Sequence, residues 1–283
     1  MTSRTRAELF LFSITFIWGS TFVVSKYLLS FATPLAYIAI RFAIAALIFS
    51  AVSFRNVKSM TKSALLNGSI LGGLLFFGFA TQMIGLQYTT ASKAAFITGM
   101  MVVFTPICQL VIERRAPKLG NIVGVVLVTV GLYLLTSPAG AEFNLGDGLN
   151  LLCAVSFALY IVYLDIFSKE ADSSQLTLVQ FVTCAVLGIL TSALFEHAAF
   201  AATPGSLLAL GYLIIFATII AIYIQARFQK DTTPTRSAII FSIEPVIAAT
   251  IAYFALGEVI GLPGIVGGGF IVAGLLVSEL SPA

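Results

Sequence analysis

The feature that most constrains this chain is a series of apolar runs, each about 20 residues long, that recurs from one end to the other. A run of this length crosses the hydrocarbon core of a bilayer as an α-helix, and one soluble core could not bury them all. Only 10% of the 283 residues are charged and the mean hydropathy is +1.05, whereas soluble domains average roughly 25% charged residues. The sequence therefore predicts an integral membrane protein.

Charged residues, prolines and Gly-Asp or Ser-Pro pairs divide the chain into candidate spans joined by short connections. Ten such segments result, at residues 9–29, 34–53, 64–86, 93–112, 119–136, 148–168, 175–195, 206–227, 235–256 and 262–280. With a cytoplasmic N-terminus, the inner side holds twelve Lys and Arg residues and the outer side only Lys26 and Lys93. Because basic residues concentrate in cytoplasmic loops, we expect a protein of the cytoplasmic (inner) membrane with both termini in the cytoplasm.

The two halves of the chain repeat one pattern. Adding 143 to a residue number aligns residues 63–132 with 206–275 without a gap, and about fourteen of the seventy positions are identical. Gln82 aligns with Gln225, and the basic residues Lys93 and Arg236 also coincide. Near the second span the offset becomes 139 and brings Arg41 onto Gln180.

Five spans in each copy is an odd number, so the second copy enters the membrane with the opposite orientation. The predicted fold is therefore an all-α integral membrane protein of ten transmembrane helices, arranged as two inverted five-helix repeats around a central cavity. The first repeat is expected in residues 1–141 and the second in residues 142–283. Many secondary transporters place their substrate site between such repeats, although a channel or scaffold can share this symmetry.

Several segments resemble one known family. They are FIWGSTFVVSKYLL, PLAYIAIRFAIAALIF, GLQYTTASKAAFITGMMVVFTPICQLVIERR and TTPTRSAIIFSIEPVIAATIAYFALGEVIGLPGIVGGGFIVAGLLV. Together they are similar to the EamA-type permeases of the drug/metabolite transporter superfamily. The resemblance implies a ten-helix basket in which helices one to four and six to nine surround the cavity, with helices five and ten outside it.

The resemblance also implies a function: secondary transport of a small metabolite by alternating access, with export of an amino acid or a related compound favoured. The alternative is import of a sugar or a nucleotide precursor. An integral membrane enzyme or a non-transporting scaffold is a more distant alternative.

Catalytic and cofactor chemistry find little support in the sequence. His197 is the only histidine, and Cys108, Cys153 and Cys184 lie far apart in apolar segments without the spacing of a metal site. No segment matches a phosphate-binding loop, which excludes ATP-driven transport by this chain alone. The basic residues form short clusters and no stripe, so nucleic acid is not an expected partner. We expect no enzyme activity, no cofactor and no metal.

Glu244 is the sole acid well inside a span, and Pro245 follows it as a predicted helix break. A carboxylate at the bilayer centre costs roughly 2.5 to 3.5 kcal/mol, so it should face protein or a water-filled cavity. One interpretation is a cavity carboxylate that binds a cationic group or takes a proton in coupling. The other is a packing role, with Glu244 hydrogen-bonded to donors near the break.

Other polar residues inside spans are open to two interpretations each. Arg41 either anchors the outer rim or faces the cavity as a candidate partner of Glu244. Trp18 either packs in the core or offers an aromatic surface to substrates. The glutamines and Tyr160 either join helices or line a wet cavity. The candidate cavity residues are Trp18, Arg41, Gln82, Tyr160, Gln180, Gln225 and Glu244.

Two further features concern the ends and the outer faces of the helices. Lys93 and Arg236 open the fourth and ninth helices at opposite membrane faces, as charges at a cavity mouth or as topology anchors. Glycines form small-residue faces on the fifth and tenth helices, namely Gly120, Gly124, Gly264 and Gly267 to Gly269. These faces suit packing against neighbouring helices or between protomers, which leaves a homodimer open. The expected partners are otherwise a small-molecule substrate and the lipid bilayer.

Overall fold

The computed structural model describes residues 2–54, 59–136, 143–257, 259 and 261–280. Arg55 and Lys58, which contribute to the count of inner charges, lie outside these ranges, as does the predicted boundary between residues 141 and 142.

Helices account for nearly all of the described residues. Their bounds are α1 Ser3–Leu28, α2 Pro34–Val52, α3 Lys62–Tyr88, α4 Ala91–Glu113, α5 Leu119–Thr136, α6 Leu145–Glu170, α7 Ser173–Phe195, α8 Pro204–Asp231, α9 Pro234–Leu256 and α10 Leu262–Leu280. Within these described ranges, eight helices are long and apolar enough to cross a membrane, and α5 and α10 are shorter apolar helices. The all-α membrane fold is confirmed, while the count of ten spans stays a prediction.

Polar side chains fix where most of these helices begin. The first turn of a helix has free backbone N–H groups, which are costly in an apolar environment unless an acceptor caps them. A threonine, asparagine or aspartate supplies that acceptor at seven helix starts: Thr2, Thr61, Thr90, Asn144, Asp172, Thr203 and Thr233. The short polar connections therefore define the helix ends as well as separating the apolar runs.

Two helices are interrupted near their middle. α4 consists of Ala91–Gly99 and Met101–Glu113, and α9 consists of Pro234–Phe241 and Glu244–Leu256. Met100 and Ile243, at the two interruptions, are related by the offset of 143, so the breaks occupy equivalent positions in the repeats.

Proline accounts for only one of these breaks. Pro245 lies in the first turn of the second half of α9, where its missing N–H costs no helical hydrogen bond. Pro106 lies inside the second half of α4 and not at its break. A Cβ atom on Gly99 would come within 2.9 Å of Pro245 Cγ, so the two interrupted regions touch each other.

α5 and α10 pack closely through their glycines. A Cβ atom on Gly124 would lie 2.8 Å from the carbonyl oxygen of Gly274, and one on Gly131 would lie 2.6 Å from that of Gly267. The contacting residue numbers rise along one helix as they fall along the other, so the helices run antiparallel. Equivalent helices that run in opposite directions are what an inverted repeat requires.

The start of α1 and the end of α10 lie at one end of the helix bundle. Ser278, close to the end of α10, donates a hydrogen bond to Asn121 in the first turn of α5 at 3.1 Å. Asn121 and Arg4, which is near the start of α1, line the same surface hollow. We call this the terminal end. At the opposite end, Lys26 Nζ in the last turn of α1 donates to the carbonyl of Leu86, near the end of α3, at 2.6 Å.

The glycine contacts predict the effect of a single methyl group between α5 and α10. Gly131→Ala would place Cβ 2.6 Å from the Gly267 carbonyl oxygen and 2.8 Å from the Ile271 nitrogen, both of them backbone atoms, so the helices must separate. Overpacking of this kind costs about 1 to 3 kcal/mol. We expect thermal unfolding of the detergent-purified protein at a temperature several degrees lower.

Gly269→Ala on the exposed face of α10 is the matched control, because nothing lies within 4 Å of its added Cβ. Alanine has the higher helix propensity, so this variant should unfold at the wild-type temperature or above it. Equal destabilisation by both substitutions would show that close packing of α5 on α10 is not the cause.

Candidate functional site

A small cavity lies between the two halves of the bundle. The space in which the centre of a water molecule can lie has a volume of about 60 Å³. Its wall combines side chains from α1, α3 and α4 of the first half with side chains from α6, α8 and α9 of the second half. The lining residues are Trp18, Thr21, Phe22, Leu75, Phe79, Gln82, Thr98, Met101, Phe157, Tyr160, Ile161, Ile222, Gln225, Phe241 and Glu244.

The wall of the cavity follows the internal repeat. Ten of the lining residues form five pairs related by the offset of 143, with one member in each half of the chain. The pairs are Trp18 with Ile161, Phe79 with Ile222, Gln82 with Gln225, Thr98 with Phe241 and Met101 with Glu244. A cavity built equally by both halves lies where the axis relating them should pass, which is the place of substrate sites in inverted-repeat transporters.

Glu244 is the acid of this wall. It opens the second half of α9, directly after the break, and its side chain is 8% exposed. Among the described residues, no side chain forms an ion pair or a hydrogen bond with its carboxylate. Met101, an uncharged residue, occupies the equivalent position in the first half. The carboxylate therefore makes the site unsymmetrical.

A glycine allows α1 to approach the break in α9. A Cβ atom on Gly19 would lie 2.6 Å from Ile247 Cβ and 3.0 Å from the carbonyl oxygen of Glu244. Only a residue without a side chain fits this distance. The next residue toward the N-terminus, Trp18, lines the cavity beside Phe241, with the two rings edge to face and their centroids 5.3 Å apart.

The indole of Trp18 is fixed by an irregular part of α8. Its Nε1 donates a hydrogen bond to the carbonyl of Ala217 at 3.0 Å. Ala217 belongs to Leu213–Ile220, which winds as a π-helix. π-Helical turns inside α-helices are rare and are frequent at functional sites. The contact holds the ring of one half against the backbone of the other.

Arg41 lies behind the cavity wall. Its Nε donates to Thr218 Oγ1 at 2.6 Å and its Nη1 donates to the Tyr37 hydroxyl at 2.9 Å. The guanidinium carbon stands 4.8 Å from the ring centroid of Phe79, which itself lines the cavity. Arg41 is 1% exposed and forms no ion pair with Glu244 among the described contacts. It is buried and is not among the residues that line the cavity.

Gln180 has a comparable place in the second half. Its Oε1 accepts a hydrogen bond of 2.7 Å from the hydroxyl of Tyr160, which lines the cavity. Its Nε2 is buried and has no hydrogen-bond partner among the described residues. Arg41 and Gln180, aligned by the offset of 139, thus each lie behind an aromatic residue of the wall.

The two repeat-related glutamines line the cavity and contact their own half. Gln82 Nε2 donates to Thr98 Oγ1 at 3.4 Å, and Gln225 Nε2 donates to Gln229 Oε1 at 2.8 Å. Gln229 in turn donates to the carbonyl of Ile161 at 2.6 Å. Gln82 therefore joins α3 to α4, whereas Gln225 bonds within α8 and reaches α6 only through Gln229.

Lys93 and Arg236 both form ion pairs. Lys93 Nζ lies 2.6 Å from Asp147 Oδ2, and Arg236 Nε lies 2.9 Å from Glu8 Oε1. Sequence reasoning singled out the two cations but neither of their acidic partners. The described residues contain no group of three or more His, Cys, Asp or Glu side chains that could hold a metal ion.

Sequence reasoning also missed most apolar members of the wall. Phe79 precedes Gln82 by three positions and therefore shares its helix face, a signal that could have identified it. Alignment by the offset of 143 from Glu244 could have identified Met101 in the same way. The lining residues not predicted are Thr21, Phe22, Leu75, Phe79, Thr98, Met101, Phe157, Ile161, Ile222 and Phe241.

Comparison with known proteins shows the fold and the family. A solved crystal structure superposes with a TM-score of 0.82 over 97% of this chain and 98% of that one, at 18% sequence identity. The model of the EamA-like transporter family matches the chain twice, at residues 5–137 and 144–280.

The relatives found by sequence are transporters by name. An uncharacterized transporter of Archaeoglobus fulgidus is 32% identical over 261 residues, which cover 91% of this chain and 80% of that protein. An S-adenosylmethionine/S-adenosylhomocysteine transporter of Chlamydia muridarum is 25% identical over 272 residues, covering 88% of this chain and 83% of that protein. The chain is therefore a membrane transporter and not an enzyme, and it belongs to the EamA-like transporter family.

Proposed function

We propose that this protein is a secondary transporter that moves an amino acid or a related amino-bearing metabolite by alternating access, in the direction of export. The observation that carries the proposal is the carboxylate of Glu244, which lines a cavity shared by both halves and has no cationic partner among the described residues. Export is the direction that the family resemblance favours.

The wall of the cavity suits a substrate with an ammonium group. An ionised carboxylate buried among apolar helices needs a counter-charge or water, and none of the lining residues is basic. An ammonium group or a proton arriving in the cavity would supply the missing charge. The wall also contains the aromatic rings of Trp18, Phe79 and Phe157, and an aromatic ring attracts a cation placed over its face. The amides of Gln82 and Gln225 can pair with further polar groups.

A named relative supports the same class of substrate. The Chlamydia muridarum protein is named as a transporter of S-adenosylmethionine and S-adenosylhomocysteine, and both compounds contain an amino acid group. An aromatic-walled cavity with one carboxylate is compatible with such compounds. At 25% identity this similarity supports the class and not a particular substrate.

The size of the cavity requires movement during transport. The space open to the centres of water molecules is about 60 Å³, and one water molecule needs roughly 10 to 15 Å³ of this space. The cavity therefore holds only a few water molecules. An amino acid is larger, so the two halves must separate before it can enter or leave. Rocking of two inverted repeats about a central site opens the cavity to each side in turn.

The same proposal places the protein in the cytoplasmic membrane with its terminal end in the cytoplasm. The support is the distribution of basic residues, twelve on one side and two on the other. Protease digestion of tags at the two termini in sealed cells tests it, since cytoplasmic tags remain protected.

Filling the cavity should stop transport. Gln82→Trp replaces a lining amide by a much larger ring, and we expect loss of uptake and exchange of labelled amino acids in reconstituted vesicles. Leu66→Trp on the exposed face of the same helix is the matched control and should transport normally. Wild-type transport by folded Gln82→Trp protein would exclude this cavity as the route, and wild-type vesicles that move no compound of a broad metabolite panel would refute the proposal.

Neutralising Glu244 separates proton coupling from substrate exchange. Glu244→Gln keeps the shape of the side chain and removes its ability to bind and release a proton. We expect accumulation driven by a pH gradient to be abolished, while substrate-for-substrate exchange continues with a raised KM because the ammonium group loses its counter-charge. The measurement is uptake into vesicles with and without an imposed pH gradient.

Glu170→Gln is the control for this experiment, because Glu170 is an exposed acid at the end of α6, away from the cavity. It should retain pH-driven accumulation. Wild-type accumulation by Glu244→Gln would show that another group carries the proton. Failure of Glu244→Gln to reach the membrane would instead favour the packing role.

A further inference from the structure

Two charged clusters join the halves of the protein, one at each end of the bundle. The terminal-end cluster consists of Glu8, Thr232 and Arg236, together with Arg4. The opposite-end cluster consists of Thr89, Lys93 and Asp147. Each cluster links the first helix of one half to the start of the fourth helix of the other half.

The terminal-end cluster is centred on the carboxylate of Glu8. Its Oε1 lies 2.9 Å from Arg236 Nε and 2.9 Å from Arg4 Nε, and it accepts a hydrogen bond of 2.9 Å from Thr232 Oγ1. The side chains of Glu8 and Arg236 are 10% and 5% exposed. Glu8 belongs to α1 and Arg236 to α9, so the contact closes the α1–α9 interface.

The opposite-end cluster is centred on the carboxylate of Asp147. Its Oδ2 lies 2.6 Å from Lys93 Nζ, and its Oδ1 accepts a hydrogen bond of 3.2 Å from Thr89 Oγ1. Asp147 is fully buried. Since Asp147 belongs to α6 and Lys93 to α4, this contact closes the α4–α6 interface.

The clusters are related by the internal repeat. Adding 143 to Thr89 and Lys93 gives Thr232 and Arg236, and in both clusters the threonine and the cation hold one carboxylate of the other half. The acids themselves do not align, because Asp147 corresponds to position 4. Glu8 stands four residues further along α1, on the same helix face one turn on. The arrangement is thus the same at both ends although the acids occupy shifted positions.

The cavity lies between the two clusters. Lys93 precedes the lining residue Thr98 by five positions on α4, and Arg236 precedes Phe241 by five on α9, which is about 7.5 Å of helix rise in each case. The four helices joined by the clusters, α1, α4, α6 and α9, also carry much of the cavity wall. Opening one interface would therefore expose the cavity at one end only.

We propose that these clusters are the two gates of the transport cycle and that they open alternately. The proposal rests on the transport function proposed above and names the residues that control access to its site. An ion pair suits a gate because each of its two charges exchanges its protein partner for water when the interface opens. Hydration then compensates for the lost attraction, so the closed and open states differ little in free energy.

Accessibility of a cavity thiol tests the gates without any substrate. The reporter is the variant Thr21→Cys, in a chain whose native cysteines Cys108, Cys153 and Cys184 are replaced by alanine. Thr21 suits this purpose because it lines the cavity and its hydroxyl donates a hydrogen bond only within α1, to the Trp18 carbonyl. A membrane-impermeant maleimide is added to one side or the other of oriented vesicles. Glu8→Gln should raise labelling from the terminal end, and Asp147→Asn should raise it from the opposite end.

We expect each rise to be at least about tenfold, since loss of one buried charge partner shifts a two-state equilibrium by that factor or more. Arg236→Gln should act like Glu8→Gln, and Lys93→Gln like Asp147→Asn. Exchanging the charges, as in Lys93→Asp with Asp147→Lys, should return labelling toward the parent level. If a neutral variant does not fold, Arg236→Lys and Asp147→Glu keep both charges with altered reach and should give smaller rises on the same sides.

The matched control is Lys169→Gln. Lys169 Nζ lies 2.6 Å from Asp165 Oδ2, but both residues belong to α6, so this ion pair does not join the halves. It should leave labelling unchanged from either side. The gates are refuted if the folded variants of both clusters raise labelling from the same side, or if they only lower stability and leave accessibility as in the parent.

These results are distinguishable from failure of the transport proposal. If the variants of the two clusters raise labelling from opposite sides but the vesicles transport none of the tested metabolites, the gates are supported and the transport proposal is not. If the protein transports a metabolite but the variants of the two clusters do not change labelling from either side, the transport function is supported and the gate proposal is refuted.

Discussion

A charge placed among apolar helices costs several kilocalories per mole unless a counter-charge, hydrogen bonds or water compensate it. This constraint governs where the charged side chains of the protein lie. Glu8 and Asp147 meet cations from the other half of the chain at the two ends of the bundle. Arg41 is held by two hydroxyl groups and an aromatic ring. Glu244 has no such partner among the described residues, and it is the one that faces the cavity.

The position of the cavity follows from the backbone as well as from the charges. A helix break leaves N–H and C=O groups without helical partners, which lipid cannot satisfy, so breaks in a membrane protein belong inside the bundle or beside water. The breaks in α4 and α9 occupy equivalent positions and touch through Gly99 and Pro245. The residues that follow the two breaks, Met101 and Glu244, both line the cavity. The internal repeat thus places the two helix breaks next to each other at the cavity.

Much of this architecture could be predicted from the sequence, because span length and residue offset are local or periodic signals. The offset aligned Gln82 with Gln225, and both line the cavity. The acidic partners Glu8 and Asp147 could not be predicted, since contacts between α1 and α9 or between α4 and α6 have no fixed sequence spacing. The break at Met100 lacks a proline signal.

The contacts of Arg41 could not be predicted from the sequence either. A residue two turns into a helix could lie at a rim or at a cavity, and only the packing against Phe79 and Thr218 shows that Arg41 lies behind the cavity wall. The two repeats nevertheless differ in a way that matters for the proposed cycle. α9 carries both Arg236 of the terminal-end cluster and Glu244 of the cavity, eight residues apart with the break between them. α4 carries Lys93 of the other cluster, but Met101 in place of the acid. A cation that binds Glu244 therefore acts directly on the helix of one gate and only through packing on the other, so the proposed gates should differ in their response to substrate although their geometry is nearly the same.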